Sequence, residues 1–299
     1  LLAFGARSDV VLAAEHALED GKPSRDADLI EGIKSLEATR VSVGGNPYMA
    51  LILALAHLDI GWAWRGTGWS TQMPALNREK CVAHFDRAAA KQDLSVDAYP
   101  YAASSTILNP DFIAEAERVM ITWSVPHPDM RGRDLADISS EWGVEQGEAA
   151  ERLQPAGAVY FAMDENDVRR ILQHTDTMIG SDGLPHDSHP HPRLWGTFPR
   201  VLGHYARDVG LFPMGEAVRR MTSLPAKRFG LKDRGEIRPG GYADLVLFDA
   251  EAIVDSATFE NPMTPAAGIH GVWVNGGAVW RHGKSTGNRP GAVLERQTA

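Results

Sequence analysis

Asp182 stands just past a short apolar run, "TMIG" at 177–180, between Ser181 and Gly183, and the segment after it carries His186, His189, His191 and Arg193 interleaved with Pro185, Pro190 and Pro192. A carboxylate at the C-terminal end of a strand can ligate a metal or take a proton from a bound water. Ser-Asp-Gly serves equally well as a turn with the aspartate as its cap. His-x-x-His-x-His beside an acid has the residue types of a zinc site. The prolines weigh against that use, because they hold the loop extended and send neighbouring side chains in different directions. The histidines then read as parts of a polar loop at the edge of a site. Arg193 could recognise a carboxylate by a two-point contact; its alternative is a surface arginine paired with Asp187. Tyr99, Tyr101, Ser104 and Ser105 follow another apolar run and offer hydroxyls to a ligand, the alternative being core aromatics followed by a turn.

The elements that must position these residues are strands and helices in alternation. "LSVDAYPY" (94–101), "VMITWS" (119–124), "AVYFAM" (158–163) and "TMIG" (177–180) are near-continuous apolar runs of strand length, the pattern of parallel strands covered on both faces. Between the last two, "DENDVRRILQH" opens on Asp164 as an N-cap and sets Val168, Ile171 and Leu172 on one stripe. "MGEAVRRMTSLPAKRFG" spaces Met214, Ala217, Val218 and Met221 at helical intervals before Gly230 closes it. This is an α/β pattern, either an open doubly wound sheet or a (β/α)8 TIM barrel. No G-x-G-x-x-G follows a strand and there is no P-loop, which favours the barrel. Past residue 231, "GYADLVLFDA" and "GIHGVWVNGGAVWRHGK" read as strands, the second a hairpin turning at "NGG". The first seventy or so residues do not join this rhythm, although "YMALILALAHLDIGWAW" from Tyr48 reads as a buried helix.

Composition bounds the rest. The 299 residues are 43% hydrophobic and 23% charged, with a net charge of −9 from scattered acids, so the basic footprint of a nucleic-acid binder is missing. No nucleic-acid or membrane partner is expected. The apolar stretch from Tyr48 falls short of the ~20 residues of a membrane span. A single cysteine, Cys81, fits a reducing compartment, with the cytoplasm as the expectation. "LLAFGARSDVV" at the start lacks the basic region of a signal peptide, and the chain does not open on Met, which leaves room for it to be a piece of a longer one.

"DAYPYAASST" (97–106), "ITWSVPHP" (121–128), "LQPAGAVYFAMDENDVRRIL" (153–172), "MIGSDGLPHD" (178–187), "HPHPRLWGTFPRVLGHY" (189–205) and "GYADLVLFD" (241–249) together resemble the N-acyl-D-amino-acid deacylases, or D-aminoacylases, of the amidohydrolase superfamily. The likeness runs from about residue 77 to near the C-terminus. It implies a metal-dependent amidohydrolase (β/α)8 barrel with a small β-sandwich domain, a Zn2+ cofactor, and hydrolysis of the amide of a small-molecule N-acyl-D-amino acid. By the same resemblance Asp182 is the catalytic aspartate, a zinc ligand that activates the metal-bound water and then protonates the leaving amine. Arg193 pairs with the substrate α-carboxylate, and Tyr99 and Ser105 are its hydroxyl partners. The organisation implied is 77–230 as the C-terminal half of the barrel and 231–299 as the small β-domain, with 1–76 unassigned. Members that prefer acidic side chains share "SSTILNP", so D-glutamate is slightly favoured; where a cation is expected stands Phe112, with Arg118 the nearest substitute.

The departures are as specific as the likeness. The family's His-x-His pair, its ligand cysteine, and the T-H-M-R-like and S-H-H-K-like motifs do not occur, His57 stands in no matching context, and Cys81 is not at the family's ligand position. A truncated chain with a shifted reading frame before about Asn77 would account for this, and translation in all three frames should then reveal an S-H-H-K-like motif just upstream. The alternatives are a cyclic-amide hydrolase of the dihydroorotase or hydantoinase kind, or an inert barrel fragment without its metal ligands.

Overall fold

A computed structural model of the protein describes residues 18–19, 22–23, 34, 36–42, 47–65, 75–91 and 95–294. The reading of "LLAFGARSDVV" falls outside them. The chain divides into two compact units, Leu1–Ser95 and Val96–Ala299.

In the first unit, strands β1 (Leu18–Glu19) and β2 (Lys22–Pro23) pair antiparallel, and helices α1 (Pro47–Arg65) and α2 (Ala75–Ala89) pack through Ala56, Ile60, Trp64 and the buried Cys81. The run from Tyr48 is thus the buried helix its composition predicts; no helix among the described residues is long and apolar enough to cross a membrane. His57 and His84 lie buried between the two helices with their Nδ1 atoms 3.0 Å apart, so one ring donates and the other accepts. Burial holds the His57 imidazole below its usual range, which keeps a second proton out of that pair.

In the second unit, β3 (Val96–Ala98) and β7 (Thr177–Ile179) are parallel, with Ala98 registered against Ile179. The other predicted strands form, but not in the predicted direction. β4 (Ser104–Ile107), β5 (Arg118–Ser124) and β6 (Ala156–Phe161) make an antiparallel sheet in the order β4-β6-β5. The reason is that a continuous apolar run reports burial of both faces, as for Ala156–Tyr160 here, and carries no information about direction. Ser104 and Ser105 accordingly sit in a strand and not in a turn.

Helices α3 (Leu135–Trp142) and α4 (Gln146–Leu153) connect β5 to β6. In α5 (Glu165–Gln173) the Asp164 carboxylate accepts from the backbone N–H of Asn166 and Asp167, the cap expected from sequence. Val168 and Leu172 are buried, but Ile171 is 46% exposed, so the stripe follows the i, i+4 pair and leaves Ile171 outside. Helix α6 (Arg193–Arg200) contains Pro199, which has no N–H to give to the preceding turn, and the chain continues as a wider π-helical stretch, Val201–Asp208. The single helix expected after Met214 is two, α7 (Met214–Met221) and α8 (Ser223–Phe229), broken at Thr222 (φ −131, ψ −87). Pro225 accounts for the break: its ring cannot sit over the Met221 carbonyl of a continuous helix. Gly230 closes α8 at φ 67 as expected. Buried Arg220 of α7 donates to the carbonyls of Leu172 (2.7 Å) and Gln173 (3.3 Å), closing the C-terminus of α5.

The C-terminal sheet is antiparallel in the order β11-β10-β9-β8, from β8 (Leu245–Phe248), β9 (Ile269–Val274), β10 (Gly277–Arg281) and β11 (Lys284–Ser285). Asn275 (φ 48) and Gly276 (φ 79) make the left-handed turn that the sequence "NGG" promises. β8 ends this sheet, with Val246 and Leu247 exposed. An apolar cleft of about 1010 Å³ lies beside it, lined by Trp195, Phe198, Leu202, Val246, Phe248 and Trp280 among others.

Candidate active site

Because β3 and β7 run parallel and in register, the residues that follow them emerge side by side: Tyr99 after β3 and Asp182 after β7, with Gly180 N–H donating to the Ala98 carbonyl at 3.1 Å. Asp182 takes a left-handed backbone conformation (φ 46), which few residues other than glycine, asparagine and aspartate tolerate. Its side chain is 63% exposed, whereas that of Arg193 is 1% exposed. The two meet: Arg193 Nη2 lies 2.7 Å from Asp182 Oδ2, and Arg193 Nε donates to the Asp182 carbonyl at 2.8 Å. Nη2 also donates to the Ser105 carbonyl at 3.2 Å, and the guanidinium carbon lies 4.5 Å from the centre of the Tyr99 ring.

The four residues singled out from sequence, Tyr99, Ser105, Asp182 and Arg193, are therefore one cluster with a buried cation at its centre. Arg193 is not a surface side chain and its partner is Asp182, not Asp187. Burial pushes the Tyr99 phenol above its ordinary range, against the pull of Arg193, so its hydroxyl stays a donor. The Ser105 hydroxyl is buried without a hydrogen-bond partner among the described residues, a demand that a ligand can satisfy.

The histidines hold the loop. His191 is buried, accepts from the Arg193 backbone N–H at Nδ1 (2.9 Å) and donates from Nε2 to the Ala103 carbonyl (3.1 Å). Those two bonds need the neutral ring with its proton on Nε2, and burial lowers the imidazole pKa to about 3. His189 Nε2 donates to the Phe259 carbonyl at 2.7 Å, while His186 is exposed, 3.6 Å from Asp187. The three rings thus have three separate partners. Among the described residues no group of three or more His, Cys, Asp or Glu side chains is placed to hold a metal. A carboxylate like that of Asp182 suits a hard cation, yet these residues do not amount to a metal site.

Two residues that sequence reasoning passed over brace the cluster. Arg200 donates from Nε to the Pro100 carbonyl (2.9 Å), pairs with Asp255 (3.1 Å) and lies over the Tyr101 ring. It is seven residues after Arg193 on the same helix face, a signal present in "RLWGTFPR"; Asp255 offered none. Gly196 lies between them, where a Cβ would come 2.4 Å from the Tyr101 hydroxyl. Arg118 pairs with Asp134 at 2.8 Å, and Phe112 packs edge-on against Tyr160.

A model of the amidohydrolase family matches residues 12–280, starting inside the stretch that the quoted motifs do not reach. A D-aminoacylase of Alcaligenes xylosoxydans xylosoxydans is 56% identical over 215 residues, 72% of this chain and 44% of that protein. An N-acyl-D-glutamate deacylase of the same organism is 48% identical over 248 residues, 79% of this chain and 50% of that one. A D-aminoacylase crystal structure superposes with a TM-score of 0.70 at 55% identity, covering 74% of this chain and 46% of that one. An N-acyl-D-glutamate deacylase from Bordetella bronchiseptica, solved with zinc and a phosphonate mimic of the tetrahedral intermediate, gives a TM-score of 0.74 at 38% identity, covering 94% of this chain and 69% of that one. The chain spans about half the length of the curated relatives it matches. A family model over residues 12–280, together with a relative 56% identical over 72% of this chain, identifies the chain as a member of the amidohydrolase family.

Proposed function

We propose that the protein acts in the hydrolysis of N-acyl-D-amino acids, giving a carboxylate and a free D-amino acid, with zinc as the metal. The observation that carries this reading is buried Arg193, gathered with Asp182, Tyr99 and Ser105. A buried cation beside the Ser105 hydroxyl is suited to a substrate α-carboxylate, which Arg193 would grip in two points in place of the Asp182 side chain, with Tyr99 and Ser105 donating. Asp182, the exposed member, accepts the proton of the attacking water and returns it to the departing nitrogen. These are the roles of the protein's own side chains; the described residues supply Asp182 toward zinc but not a full ligand set. The named activities of the D-aminoacylase and N-acyl-D-glutamate deacylase relatives support the reading.

Within it, residues 77–230 are the C-terminal half of a (β/α)8 barrel, 231–299 the small β-sandwich domain, and 1–76 have no assigned part. The parallel β3–β7 pair supports the barrel. A single cysteine in the sequence suits the cytoplasm. An acidic substrate such as an N-acyl-D-glutamate is favoured by "SSTILNP", although its second carboxylate would have to compete with Asp134 for Arg118. Calorimetric titration with N-acetyl-D-glutamate and its L enantiomer tests the reading. Binding is expected for the D form and weakened by Arg193→Lys; equal affinity for both enantiomers rejects it.

A further inference from the structure

The segment between Asp182 and Arg193 is fastened to β5 at one irregular point. The register of β5 on β6 shifts between Ile121 and Trp123, a bulge that leaves Thr122 as the extra residue. The Thr122 carbonyl is turned to the loop, where it accepts from the His189 backbone N–H and the Ser188 hydroxyl, both at 3.1 Å. The bulge also brings the Thr122 and Trp123 side chains to one place. A Cβ on Gly157, which faces Trp123 across the sheet, would lie 2.3 Å from Trp123 Nε1 and 2.6 Å from Thr122 Oγ1. Into this place the loop sends Asp187. Its side chain is 1% exposed, its carboxyl faces the Thr122 hydroxyl and the Trp123 indole N–H, and Oδ1 has no hydrogen-bond partner among the described residues.

We propose that Asp187 is a positioning residue: seated on the Thr122–Trp123 bulge, it fixes the loop joining Asp182 to Arg193 and so sets the span of the carboxylate-binding cluster. The charged groups around it are His186 and Arg193, and neither neutralises it at close range: His186 is 3.6 Å away and exposed, and Arg193 is engaged by Asp182. Burial accordingly pushes the Asp187 carboxyl above the ordinary aspartate range, toward the neutral form that an asparagine amide imitates. Asp187 itself touches no substrate atom in this scheme; it acts through the loop.

The inference rests on the deacylase reading only for its effect on ligand binding. The test compares wild type, Asp187→Ala and Asp187→Asn by hydrogen exchange over residues 183–192 and by calorimetry with N-acetyl-D-glutamate. Asp187→Ala should raise exchange in that loop and the Kd by about tenfold each, with the rest of the second unit unchanged, and Asp187→Asn should restore both to within about twofold. Unchanged loop exchange in Asp187→Ala, an increase spread over the whole unit, or an asparagine variant no better than alanine would overturn the proposal. If Asp187→Ala does not fold, Asp187→Ser takes its place with the same expectations. A wild-type protein that binds no N-acetyl-D-glutamate counts against the deacylase reading alone, and the exchange measurement still decides the role of Asp187.

Discussion

Asp182 and Arg193 are neighbours in the cluster but should fail in different ways. In an active protein carrying these residues, Asp182→Asn keeps the shape and loses the proton acceptor, so kcat should fall by at least about 100-fold with substrate binding largely intact. Arg193→Lys keeps the charge and loses the planar fork, so KM should rise more than kcat falls. Steady-state kinetics on both variants checks the pair; a near-normal kcat in the first or an unmoved KM in the second removes the assigned roles. His191 makes a pH prediction. The folded chain holds it neutral, with a pKa of about 3 against an ordinary 6.5, so its contribution is complete above about pH 6.5 and shrinks as pH falls toward 3. One proton is taken up on unfolding in that window, a slope of about 1.4 kcal/mol per pH unit. Denaturant midpoints followed from pH 7 to 4 should fall more steeply for wild type than for His191→Gln; parallel slopes would contradict the assignment. Asp182 and Arg193 were legible as single residues because the chemistry of a carboxylate at a strand end and of a guanidinium is local. The work of His191 was not, since its partner Ala103 lies 88 positions away and only the fold brings the two together.

At the scale of elements, what was legible was what depends on near neighbours: the Asp164 cap, the Asn275–Gly276 turn, the Gly230 stop. Strand direction depends on where a strand's partner comes from, and β5 and β6 gave no sign of it. The same limit hid Asp255, 55 residues from Arg200. Helix α6 illustrates how one element serves two demands, with Arg193 and Arg200 at its ends and Gly196 between them against Tyr101. Gly196→Ala improves helix propensity yet drives a Cβ to 2.4 Å from the Tyr101 hydroxyl, so it should destabilise the second unit by about 1–3 kcal/mol. Tyr101→Phe in the same chain should return most of that loss. A double-mutant cycle in denaturant measures it, and a Gly196→Ala protein as stable as wild type would show that the contact relaxes without cost.

For the molecule as a whole, the Asp182–Arg193–Tyr99–Ser105 cluster is present while the described residues lack a set of metal ligands. A catalytic zinc normally takes about three protein ligands and a water. If the residues outside the described ones supply no further ligands, this chain given zinc should bind N-acetyl-D-glutamate without releasing D-glutamate; chelator-sensitive release, followed by chiral chromatography, would show that they do supply them. The end strand of the C-terminal sheet bears on handling the protein in the laboratory. β8 leaves one side of its backbone without a strand partner among the described residues, and it is apolar along its length, with Val246 and Leu247 turned to solvent beside the cleft. Such a margin is a template on which another molecule's strand can grow, so concentrated samples should lose soluble material through intermolecular sheet. A lysine there repels an incoming strand. Leu247→Lys should raise the concentration at which light scattering first climbs, and the same onset in both proteins would place the sticky surface elsewhere.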